Sequence, residues 1–372
     1  MFCSFAGFPP DIMHAVYLGT VKHFTLSWFE GSNRGKIIRL NTDKENLIDK
    51  RLFAIAPPKR VSRTPRSLAK YGKLYKAHEW AMWLYYYSPI VLKGIVNQIV
   101  YDHWMMLVDG MSLLVIDKVT ESSFEKSKYL LESFCKLVPS IYNEKHCTFN
   151  LHLLFHLPDF AKKYGPLQHF TMTGFENFNM KMIRYVKSSN SVTSQIAKAY
   201  ARRFIEDCYD DKNFEGSNKF GPKKGNVICG IYEMLTSLQS VELAYQKFLN
   251  SHCPTFKDYV VGVKLWCQQK VFYSRSFSRA KKRNSSVFML SEFAAFEIYY
   301  FVYTQTDSKM LVLGKHYDLV RSISLPPYIL RIASEKIGIE NFIALRQQGI
   351  KMPLESDSYI ALFLNNVDNN SE

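Results

Sequence analysis

The feature that most constrains how this chain folds is a change of pattern after Arg203. Up to that point apolar residues recur at helical spacing; beyond it come a Gly/Asn/Lys-rich stretch, "DDKNFEGSNKFGPKKGNVICG", and then Tyr, Phe and Val runs of strand type. From Pro9 to Glu30 a helix is expected, opened by Pro9, Pro10 and Asp11, with Met13, Tyr17, Thr20, Phe24 and Trp28 on one face. Phe124, Tyr129, Leu131 and Phe134 mark a second helix. "NLHLLFHLPDFAKKYG" reads as another, halted at Gly165-Pro166. Between Phe296 and Val320 two strands are expected, split by a TDSK turn. The fold class that follows is mainly α with a minor β part, the latter a small C-terminal element.

A length of 372 residues with 47% hydrophobic content supports two domains, or one with a large insertion, around an ample core. Polar residues interrupt the apolar runs before the roughly 20 residues that span a bilayer, so no transmembrane helix is expected. "MFCSFAGFPPDIMH" lacks a basic start, a sustained apolar stretch and a small-residue cleavage site, which places the expected location inside the cell. The seven cysteines form no CxxC pair and read as buried thiols. The 48 basic and 33 acidic residues give a net charge of +15. That excess favours a polyanionic partner, nucleic acid before membrane, because each Lys or Arg that neutralises a phosphate releases a counterion.

Within "GFENFNMKM" a single carboxylate, Glu176, stands among apolar and amide residues. At about 100° per residue, Phe175, Phe178, Met182 and Val186 form one stripe, and Glu176, Met180, Ile183 and Lys187 a second. A helix covered on two sides is expected, with Glu176 aimed at an interior cleft and neutralised there by a metal or a cation. Asp11 and His14 stand at i and i+3, so the carboxylate can orient the imidazole. His152 and His156, at i and i+4, have zinc-capable spacing, but no HExxH glutamate accompanies them and they read as packed or hydrogen-bonding histidines. Candidate phosphate contacts are Lys59, Arg60, Arg63 and Arg66 in a proline-punctuated loop, then Lys181, Arg184 and Lys187 after Glu176, then Arg279, Lys281, Lys282 and Arg283. The last cluster also reads as a nuclear import signal. No G-x-S-x-G, P-loop or G-x-G-x-x-G occurs.

Three segments in consistent order resemble the transposases of CACTA-type cut-and-paste DNA elements. "FPPDIMHAVYLGTVKHFTLSWF" is similar to the family's Asp-x-Met-His and Leu-Gly-x-x-Lys segment. "RTPRSLAKYGKLYKAHEWAMWLYYY" is similar to its Arg-x-Leu and Lys-Ala-x-Glu segment, and "NLHLLFHLPDFAKKYGPLQHFTMTGFENF" to its Asn-x-His, Gly-Pro-Leu and Phe-Glu block. The resemblance, over roughly residues 5 to 205, implies a DDE nuclease of RNase H-like fold that uses Mg²⁺ or Mn²⁺. Such sites hold two metals about 3.5 to 4 Å apart to drive in-line attack on a phosphodiester. By resemblance Glu176 is the third catalytic acid and a metal ligand, and Asp11 and His14 support it.

The family's first two acids and its Cys-x-x-Cys have no counterpart here. The resemblance therefore implies the C-terminal portion of such an enzyme: a helical insertion region over 1–165, the acid-bearing helix over 166–205, and a C-terminal α+β region of unassigned role over 206–372. A single retained Glu does not hold two metals, so no metal is expected on this chain alone, and cutting by it alone is not expected either. DNA is the expected partner and the nucleus the expected compartment; membrane is excluded as a partner, and self-association is compatible with the sequence. The alternative reading is a domesticated, non-enzymatic DNA-binding or protein-interaction module.

Overall fold

The computed structural model describes residues 7–29, 40–210, 229–235, 241–252, 259–267, 270–277, 282–304, 309–355 and 357–364. The first helix forms where its apolar periodicity demands. It begins as a π-helical segment, Met13–Val21, and continues as α1, Lys22–Phe29. Met13, Thr20, Phe24 and Trp28 from the expected face are buried, and Tyr17 is half-buried. Next come α2 (Thr42–Ala54), α3 (Leu68–Tyr71), α4 (Ala77–Met82), α5 (Ser88–Val91), α6 (Gln98–Val115) and α7 (Glu121–Ile141). Side chains of Asn41, Asn97 and Thr120 accept from the first free backbone N–H groups of α2, α6 and α7, as N-caps do. Phe124, Leu131 and Phe134 of α7 are buried, whereas Tyr129 faces out.

The expected single helix over "NLHLLFHLPDFAKKYG" is broken into α8 (Phe149–Leu153) and α9 (Leu157–Tyr164), with Pro158 near the start of the second and Gly165 at its end. Proline has no N–H to give and is best placed in a first helical turn. Then α10 (Thr173–Tyr185) and α11 (Val192–Asp210) form a helical hairpin, closed by Gln195 bonding to Lys187, Ser188 and Asn190 and by Phe178 against Tyr200.

The remaining elements are β1 (Cys229–Met234), α12 (Leu243–His252), β2 (Tyr259–Cys267), β3 (Lys270–Tyr273), β4 (Val287–Ser291), β5 (Ala294–Thr304), β6 (Lys309–Arg321), β7 (Ile329–Asn341), β8 (Gly349–Leu354) and β9 (Asp357–Leu362). The expected hairpin is β5–β6, but the β part is far larger than a small element. One antiparallel sheet runs in the order β1-β2-β5-β6-β7-β9-β8, with β3 on β2 and β4 on β5. It curls until β4 meets the stretch before β8, where Met289 N donates to Gln347 O at 2.9 Å and Arg346 N to Met289 O at 2.8 Å. Strands with mixed burial, such as the long β7, carry too weak an alternation to be read from sequence. Gly314 on β6 is required by close approach: a Cβ there would stand 2.0 Å from Glu297 O. Cys135 is a buried free thiol and Cys147 an exposed one, as the bland reading of the cysteines allows for the first, while Cys267 is disulfide-bonded.

Helices and the last strands share one core. It runs from Ile12 through Leu167 and takes in Ile329, Ile350, Met352, Tyr359, Ala361 and Phe363. Polar atoms at this junction are paired: Tyr328 Oη donates to Tyr85 O at 2.8 Å, and Leu364 N to Tyr86 Oη at 3.1 Å.

Candidate functional site

Asp11 and Glu176 are brought together through His14. Asp11 Oδ2 accepts from His14 N at 3.1 Å and from His14 Nδ1 at 2.6 Å. Its Oδ1 accepts from Met13 N at 3.3 Å, from the Thr171 hydroxyl at 3.3 Å and from Met172 N at 2.9 Å. Asp11 thus caps the first helix and also ties it to the turn that opens α10, 161 residues away. The imidazole of His14, held at Nδ1, presents Nε2 to Glu176 Oε1 at 3.2 Å. A donated Nδ1–H makes the Nε2 of a neutral ring an acceptor, and a carboxylate oxygen is also an acceptor. Two acceptors at this distance are reconciled by a shared proton or by a cation.

The expected burial of Glu176 is not met. Its side chain is 52% exposed and that of His14 56%. No residue of α10 is buried, and Phe175 and Ile183 are 65% and 63% exposed. The stripe assignment assumed cover on two sides, but α11 is the helix packed on α10, so its apolar residues lie uncovered. Lys181 is half-buried and Arg184 exposed on α10, whereas the helix ends at Tyr185, so Val186 and Lys187, expected to continue its stripes, lie beyond it, with Lys187 exposed.

As a two-metal centre the donor set is too small. Both oxygens of Asp11 are engaged, leaving His14 Nε2 and the Glu176 carboxylate, and no group of three or more His, Cys, Asp or Glu in position to hold a metal occurs among the described residues. The arrangement can orient an imidazole and hold a proton or one cation beside an exposed carboxylate.

Two basic clusters far apart in sequence form one surface, although several of their cations are committed to holding it together. Lys59 N donates to Ser285 Oγ at 2.9 Å. The Arg283 guanidinium donates to the carbonyls of Pro58, Val61 and Ser62, so its role as a free phosphate contact is replaced by tethering the 58–62 loop. Arg66 makes a paired contact with Glu79, Nε to Oε1 at 2.9 Å and Nη2 to Oε2 at 2.9 Å, and Arg63 reaches Oε2 at 3.4 Å. Glu79 is buried, and its side chain also caps α4 by accepting from Lys76 N. Arg60 lies over the Phe363 ring at 3.9 Å. Lys59, Arg63 and Lys282 are exposed along this surface, while Arg279 and Lys281 lie outside the described residues.

His152 is exposed and His156 half-buried, with Nε2 atoms 3.3 Å apart; they hydrogen-bond to each other instead of filling a core. The sequence reading passed over two closed acid networks. Besides Glu79, buried Glu297 accepts from Tyr317 Oη at 2.6 Å, Asn284 Nδ2 at 2.8 Å and Lys351 Nζ at 2.9 Å. Burial acts to raise its carboxyl, but the charge of Lys351 and these hydrogen bonds outweigh burial and hold it below the ordinary value. An acid in a strand of aromatics, "AAFEIYYF", was the available signal. Comparison with family models, with curated proteins and with solved structures found no match to this chain.

Proposed function

We propose that this is a transposase-derived, DNA-binding protein, corresponding to the helical insertion and C-terminal part of an RNase H-like DDE enzyme of the CACTA type, and that it does not cut DNA on its own. The observation that carries the reading is the meeting of Asp11, His14 and Glu176. Asp11 and His14 come from one segment of the sequence and Glu176 from another more than 160 residues on, and the three stand in one row of polar contacts. The uncovered apolar face of the helix that bears Glu176 is in keeping with a catalytic core whose other layers would pack there. The net charge of +15 and the joined surface bearing Lys59 and Lys282 favour a nucleic-acid partner, with the nucleus as the compartment.

Fluorescence anisotropy with a labelled duplex tests it. Affinity should fall steeply as salt rises, with a slope of about −0.9 per phosphate neutralised. It should weaken in a Lys59→Glu, Lys282→Glu double variant, and no cleavage should appear in Mg²⁺ or Mn²⁺. No affinity at low salt, or affinity unchanged by the double variant, would overturn DNA binding at this surface. Cleavage in Mn²⁺ that Glu176→Gln abolishes would replace the inactive reading with an enzymatic one.

A further inference from the structure

An open cleft of about 350 Å³ lies where the first helix passes α8, apart from the Glu176 row. Leu18 and Leu26 form its apolar wall, and Lys22, His23, Thr148 and Asn150 its polar side. Lys22 and Asn150 are both half-buried, and neither side chain has a hydrogen-bond or ion-pair partner among the described residues. A partly desolvated ammonium without a carboxylate is costly unless something anionic meets it. No acid lines the cleft. Thr148 Oγ1 already accepts from Leu151 N, which leaves its O–H to donate outward. His23 is fixed by its bond to His146, Nε2 to Nδ1 at 2.9 Å. Gly19 leaves room for the Asn150 amide, since a Cβ there would come within 2.6 Å of Asn150 Nδ2. The π-helical turn that carries Gly19 is itself a local geometry found often at functional sites.

We infer that this cleft is a phosphate-binding site, with Lys22 supplying the charge and the Asn150 amide and Thr148 hydroxyl donating to the remaining oxygens. A tetrahedral oxyanion suits a donor-rich, acid-free hollow, because bonds to an ionised acceptor are the strong ones. The phosphate can belong to a nucleic-acid backbone or to a small phosphorylated molecule; the chemistry of recognition is the same.

The test is calorimetric titration of the full chain with inorganic phosphate at constant ionic strength, followed by competition between phosphate and a labelled duplex. Saturable binding is expected, weakened about tenfold or more in Lys22→Gln and in Asn150→Ala and retained in Lys22→Arg, with thermal unfolding of each variant matched to the parent. Displacement of the duplex by phosphate, together with weaker duplex binding by Lys22→Gln, assigns the site to the nucleic-acid backbone. Phosphate binding without displacement assigns it to a small ligand. Absence of saturable phosphate binding, or equal binding by parent, Lys22→Gln and Asn150→Ala, overturns the site whatever the duplex does, and so is distinguishable from failure of the DNA-binding reading.

Discussion

Glu297 and Glu176 are both partnered carboxylates, yet their surroundings are opposite. Glu297 is buried in the curled sheet and met by a lysine, a tyrosine and an amide, all donated by fixed strands and loops. Glu176 stands half in water on a helix with no buried residue, and it meets an equally exposed imidazole. A closed network spends its charges on itself and serves the fold; an open row keeps an oxygen available to something outside. The same contrast separates Arg66, locked to Glu79, from Lys59 and Lys282, which face out. Residue type alone does not distinguish these roles, because an acid among aromatics and an arginine in a basic loop look alike in both.

The largest effect should come from opening the closed network. Lys351→Met leaves buried Glu297 with only the more distant Arg275 Nε, 3.9 Å away, to balance its charge, and is expected to cost about 3 kcal/mol by urea unfolding, with much of the loss recovered in Lys351→Met, Glu297→Gln. Equal stability of parent and Lys351→Met would dissolve the contrast. Acid comes next. The carboxyl of Glu297 is lower in the folded chain than in the unfolded one, so its contribution is fully present above the unfolded carboxylate range, near pH 4.3, and is lost as pH falls through the folded value. Unfolding midpoints collected from neutral to acid pH should therefore fall less steeply in Glu297→Gln than in the parent. The smallest effect should be Glu176→Gln, expected within about 0.5 kcal/mol of the parent because the site is exposed. A loss of several times that value would move Glu176 to the structural side of the comparison.

Much of the helical half was legible in the sequence. Met13, Thr20, Phe24 and Trp28 lie on the face their spacing assigned, and Gly165 ends α9 as read. The β5–β6 hairpin announced itself through runs of Tyr, Phe and Val. The other strands did not, since β7 presents "ASEKIGIE" with exposed and half-buried residues mixed. At the candidate site, the pairing of Asp11 with His14 followed from their spacing, whereas the contact of His14 with Glu176 and the exposure of both did not. Periodicity reports which residues of a helix share a face, but what stands opposite that face is set by elements distant in sequence. Arg66 and Arg283 illustrate the same limit. Their partners, Glu79 and the carbonyls of the 58–62 loop, are fixed by tertiary structure, and nothing in a run of basic residues reveals them.

Ile329, Ile350, Tyr359 and Phe363 complete the interior of helices made from the opposite end of the polypeptide. A ribosome that stopped anywhere between Ile329 and Tyr359 would release helices with an unfilled side, and Tyr85 O would lack the hydroxyl that binds it whenever the stop preceded Tyr328. The two ends must consequently be synthesised, kept and degraded together. The helical part is closed only once the strands through Phe363 have been made, and a frameshift in the sheet would open the helices far from it in sequence.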